Sequence, residues 1–194
     1  MKAYEFLTEA SGDNRIITDL SRKVADATIQ YALGTKRSIG YLADYDTSLK
    51  SNSDPALTLL GKTSILVGDV PNDHRAVCYP ALSTNKEFQN KHNAPGYMYP
   101  PEIILNRNEF TNIRLYRDEQ ETDEDTLSIE RDNIERLLAH EIRHALDSCR
   151  AKGTKPHSYN KVPKNPDEPY SSLPTEINAH FQHVLHDTTR DLDT

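Results

Sequence analysis

From Thr126 to Ser148 the chain carries neither glycine nor proline, and its apolar residues recur with a helical period. At 100° per residue, Leu127, Ile134, Leu138, Ile142 and Ala145 form a single stripe. That pattern predicts a long amphipathic helix lying along a core, ended by the breakers Gly153 and Pro156 in "AKGTKPH". Beside the stripe runs His140-Glu141-Ile142-Arg143-His144. His140 and His144 stack one turn apart at its margin, with Glu141 between them and it. The rest of the chain must supply whatever this helix packs against.

Four further stretches speak to that. "DNRIITDLSRKVADATIQYALG" has the period of a second helix, with Ile16, Ile17, Leu20, Val24, Ala27 and Tyr31 on one face. Asp13 is placed to cap its start and Gly34 to end it. "DYDTSLKSNSDP", Asp44 to Pro55, is rich in turn formers and reads as a loop. Thr63 to Val67 and Ile103 to Leu105 read as strands, and the proline before the second suggests a sheet edge. The Asn72 to Pro101 region shows no period and reads as irregular. The acidic run "YRDEQETDEDT" reads as a solvated connector whose carboxylates suit the start of the next helix.

Composition narrows the classes of function. With 194 residues the expectation is one domain, residues 1–115 giving a helix and sheet part and 116–194 the active-site helix, a loop and a C-terminal helix. A net charge of -7 with scattered lysines and arginines argues against nucleic acid as partner. Two distant cysteines make no disulfide framework, and no segment approaches the ~20 apolar residues that span a bilayer. The expected location is a cytoplasm, the chain's own or a host's, with no membrane partner.

His-Glu-x-x-His on a helix is a zinc motif with a physical reason behind it. Imidazoles four residues apart reach one ion at Zn–N distances of ~2.0–2.1 Å. The glutamate between them stands aside, where it can take a proton from water polarised by the ion. A catalytic site needs one more protein ligand and an open position. "SSLPTEINAHFQHVLHD" reads as a later helix with Ile177, Phe181, Val184 and Leu185 on one face and Glu176, His180, His183 and Asp187 beside it. Glu176 is the favoured third ligand, because it opens that helix and completes a two-His-one-carboxylate set. His180, His183 and Asp147 remain alternatives, and Asp147 can instead orient an imidazole N–H.

At these residues the sequence resembles the gluzincin branch of the zincin metallopeptidases. "HEIRHALD" followed by "EPYSSLPTEINAHF" is similar in pattern to the catalytic domain of anthrax lethal factor and related bacterial effector peptidases. His140, Glu141, His144, Ala145 and Asp147 match the first motif, and Glu176 with Ala179 the second. The resemblance implies that Tyr170 supports the transition-state oxyanion, with Tyr159 as a rival. It also implies a substrate peptide added as a strand beside Ile103–Leu105. It covers Leu127 to Asp187, and nothing comparable covers residues 1–115. Two departures stand out: the connection from His144 to Glu176 is shorter than in lethal factor, and in "GTKPHSY" Pro156 occupies the place of the aspzincin aspartate ligand. The opening "MKAYEFLTE" is similar to tailed-phage proteins, which implies a phage-encoded chain.

The expectation is therefore an α+β, zincin-like fold, a small twisted sheet packed on the active-site helix with a second ligand-bearing helix near the C-terminus. The expected activity is zinc-dependent peptide-bond hydrolysis. Zinc is held by His140, His144 and Glu176, Glu141 is the general base, and Tyr170 stabilises the oxyanion. The alternatives are a non-catalytic zincin-fold scaffold or binding protein and, through Glu141-x-x-His144, a di-iron carboxylate protein. The di-iron reading lacks its second ExxH pair.

Overall fold

The longest helices of the chain form where their apolar periods lie, and they pack on each other. A computed structural model describes residues 3–70, 74–83, 86–93, 96–110, 113 and 124–151. Helix α1 spans Ala3–Ala32. It buries Ile17, Leu20 and Val24, spaced three and four apart, together with Ser21, Ala25 and Thr28. Gly34, at φ +79°, takes the left-handed turn that ends it, and Thr35 N–H reaches back to the Gln30 carbonyl at 2.9 Å. The helix begins ten residues before the predicted Asp13 cap. Asp13 is buried within it, bonded to Arg150 at 2.7 Å, so a distant cation explains the carboxylate better than a cap does.

After α1 come β1 (Gly40–Tyr41), two 3-10 turns (Leu42–Asp44 and Thr47–Ser51) and α2 (Pro55–Gly61). The predicted Asp44–Pro55 loop is thus largely 3-10 turn. α2 carries its own start signal, since the Asp54 carboxylate accepts from Ala56 N–H and Pro55 needs no donor. Strand β2 is Ser64–Gly68, one residue later than expected. The stretch expected to be irregular holds β3 (Ala76–Tyr79), β4 (Leu82–Ser83), α3 (Lys86–Lys91) and β5 (Met98–Tyr99). Strand β6 is Glu102–Asn106, and a further 3-10 turn covers Arg107–Phe110. Helix α4, Glu124–Arg150, carries the predicted stripe, with Ile134, Leu138, Ile142 and Ala145 all buried.

The architecture is α+β, with a small mixed sheet and four α-helices among the described residues. The main sheet has the order β1-β2-β6-β3, and β4 pairs with β5 in a separate ribbon. β2 and β6 are parallel in register Ile65↔Ile103, while β3 runs antiparallel to β6 with Cys78↔Ile103. Residues opposite one another share a face. Ile65, Ile103, Leu105, Ala76 and Cys78 therefore line one side, and most of them are buried in the core. β6 is a central strand, which overturns the predicted edge position of Ile103–Leu105. Pro100 and Pro101 precede its first residue, where a missing N–H costs the ladder nothing. The edge beside β6 is β3.

α4 is the shared wall. It packs against α1, α2, β3 and β6. Its contact with α1 is antiparallel, as three cross-helix pairs show: Asp26 with Arg131 at 2.6 Å, Arg22 with Glu135 at 3.7 Å and Asp13 with Arg150 at 2.7 Å. No helix among the described residues is long and apolar enough to cross a membrane.

Candidate metal centre

The row of α4 next to its apolar stripe carries His140, His144 and Asp147. Helical rise sets both imidazoles over the same side one turn apart. Their Nε2 atoms stand 3.0 Å from each other, with ring centroids 4.6 Å apart and planes at 83°. Two nitrogens this close share one proton, one ring donating and the other accepting. The same separation is near the ~3.3 Å chord expected for two nitrogens ~2.0–2.1 Å from a tetrahedral zinc ion. The pair is thus arranged either to bond to each other or to bracket a cation. Binding one cation through both Nε2 atoms would require the donor ring to carry its hydrogen on Nδ1 instead.

Glu141 occupies the adjacent row with Leu138, Ala145 and Ser148, the row that meets β3. It is buried, at 6% exposure, and so is His144. One hydrogen bond ties the chain just after β3 to this row. Ser148 Oγ accepts the Ala81 N–H at 3.1 Å and donates to the Ala145 carbonyl at 2.7 Å. Cys78, on the core-facing side of β3, lies close enough to Glu141 to sense its charge. Burial first, then Glu141 and Cys149, push the Cys78 thiol well up from its ordinary value. The carboxylate and the strand are therefore neighbours, which no sequence pattern foretold, because Cys78 and Glu141 are joined only through the fold.

The outer edge of β3 can be derived from one bond. Asn106 N–H donates to the Arg75 carbonyl at 2.9 Å, so residues 75 and 106 form a hydrogen-bonded pair. Antiparallel alternation then turns Val77 and Tyr79 toward β6 and points the N–H and C=O of Ala76 and Cys78 outward. Cys78 thus directs its side chain toward the Glu141 row and its backbone toward the edge that no described strand pairs with.

Asp147, offered as a ligand or an orienting group, meets Arg143 instead, Nε to Oδ1 at 3.1 Å. Burial raises its carboxyl above the ordinary value; Arg143, and to a lesser extent His144, pull it down. Its first obligation is an i,i+4 ion pair on its own helix. Tyr159, Tyr170, Glu176, His180 and His183 lie outside the described residues. The structure therefore brings together His140, His144, Glu141 and Asp147 among the expected site residues. Among the described residues no group of three His, Cys, Asp or Glu side chains is placed to hold a metal ion. The donors that are present, two imidazole nitrogens at near-chelating distance with a carboxylate one row away, fit part of a zinc site.

Comparison of the chain with known protein families, with curated proteins and with solved structures found no match.

Proposed function

We propose that this chain is a zinc-dependent metallopeptidase of the zincin type, hydrolysing extended peptides laid along β3. The observation that carries the reading is the 3.0 Å approach of His140 Nε2 to His144 Nε2 on a helix whose next row buries Glu141. His140, His144 and Glu176 would hold the zinc, and a bound zinc supplies a Lewis acid that makes water acidic near neutral pH. Glu141 takes the proton from the attacking water and returns it to the leaving amine. Tyr170 is assigned to the oxyanion.

The substrate strand is assigned to β3 in place of Ile103–Leu105. The outward N–H and C=O of Cys78 offer it ladder bonds directly over the Glu141 row. A peptide-library digestion with purified protein tests the reading. Wild type should cut, and Glu141→Gln should cut 10²–10⁴-fold more slowly with its metal content intact. Cleavage by Glu141→Gln at the original rate would rule out the mechanism.

A second reading, a non-catalytic scaffold with the same fold, is favoured by one observation. The two imidazoles already stand at hydrogen-bond distance from each other, with no third donor placed beside them among the described residues. Zinc retained without cleavage of any library peptide would select it.

A further inference from the structure

The β1 edge of the sheet, opposite β3, holds a pocket of about 330 Å³ that the proposed chemistry does not use. Its floor is built where α2 meets the 3-10 turns. Gly61 lies so near Leu49 that an added Cβ would stand 2.8 Å from the Leu49 Cβ and 3.3 Å from the Ala43 Cβ. The floor is therefore closed and apolar, with Leu49, Ala43 and Gly61 all buried. Tyr41, 55% exposed, supplies an aromatic wall at the mouth.

The charges around the mouth do not cancel. Lys50 and Lys62 both line the pocket and both are exposed. Neither makes an ion pair among the described residues. The single carboxylate of the lining, Asp44, is committed to the Tyr41 N–H at 2.9 Å. In a chain of net charge -7, two ammonium groups against one engaged carboxylate make a local positive mouth over an apolar floor. An acid with a hydrocarbon body complements both parts. The volume lies at the small end of ligand pockets, which matches a molecule of about ten heavy atoms.

We propose that this pocket binds a small amphipathic carboxylate, its hydrocarbon body against the Tyr41 ring above the Leu49–Gly61 floor and its carboxylate between Lys50 and Lys62. The site stands at the far edge of the sheet from His140 and His144, so its occupancy is separable from any metal chemistry. The test uses the full chain, ¹⁵N-labelled, titrated with octanoate, with 1-octanol and with inorganic phosphate. Octanoate should shift the Leu49, Gly61 and Lys62 amides saturably, 1-octanol should bind more weakly and phosphate should leave these amides in place. The double substitution Lys50→Glu with Lys62→Glu should weaken octanoate about tenfold or more, since two exposed attractions become repulsions. Both lysines are exposed, so an unchanged amide spectrum elsewhere will show that the variant is folded. Equal affinity for octanol and octanoate would overturn the proposal. So would octanoate binding unchanged in the double variant, or no saturable shift at these amides.

Discussion

α4 is one helix with two different neighbours, and its two sides are built differently. Toward α1 it presents buried aliphatics bordered by ion pairs: Arg131 with Asp26, Glu135 with Arg22, and Arg150 with Asp13. Each charge there has an opposite charge across the helix pair, so burial is compensated where it occurs. Toward β3 it presents Glu141, at 6% exposure, beside a thiol whose ionisation the glutamate opposes. The ion-paired side serves stability; on the function proposed above, the β3 side carries the group that would serve chemistry.

If that division holds, substitutions on the two sides should fail in opposite ways. The largest effect is expected at Glu141. Glu141→Gln should lower peptide turnover 10²–10⁴-fold while leaving zinc content unchanged, because the amide keeps the shape and loses the proton acceptor. Next comes the stripe under both sides. Ile142→Ala should cost about 2–5 kcal/mol in urea denaturation, since Ile142 is fully buried and its loss leaves a cavity. A cost much below that would mean the helix is less tightly packed than described.

An intermediate effect is expected at the end of α4. Burial pushes the Cys149 thiol up to about 12, Ser148 offsetting and Asp54 adding to the shift. A raised folded-state value means the thiol's contribution is complete below the unfolded value near 9.0 and is lost as pH rises toward 12. Unfolding free energy measured from pH 8 upward should therefore decline in wild type, and the difference between wild type and Cys149→Ala should shrink across that window. The smallest effect belongs to the exposed rim of the α1 side. Asp26→Ala should cost only ~0.2–1 kcal/mol and leave turnover unchanged, because Asp26 is half exposed. A large loss of activity there would break the comparison outright.

α4 is legible in the sequence because one segment carries length, period and the absence of breakers together. The same holds for the α1 stripe and its Gly34 end. The start of α1 was not legible, because Asp13 is a good cap by local rules and only Arg150, 137 positions away, gives it another role. β6 was legible as a strand and misread as an edge, since a proline just before a strand looks the same whichever place the strand takes. β3, β4 and β5 have two to four residues each, too few for a period to emerge. Asp54 and Pro55 carry the cap-then-proline signal of a helix start, which the reading of Asp44–Pro55 as a loop passed over. In the candidate site, the convergence of His140 and His144 follows from helix geometry alone. The seating of Cys78 over Glu141 depends on β3 finding β6, a long-range pairing that leaves no local trace.

Zinc content per chain, measured by elemental analysis after purification without chelators, bears most directly on the account. Wild type should hold about one zinc, and the double variant His140→Ala with His144→Ala close to none. Wild type without zinc, or a double variant that keeps the wild-type amount, would contradict it: the two imidazoles would then be a hydrogen-bonded pair and nothing more.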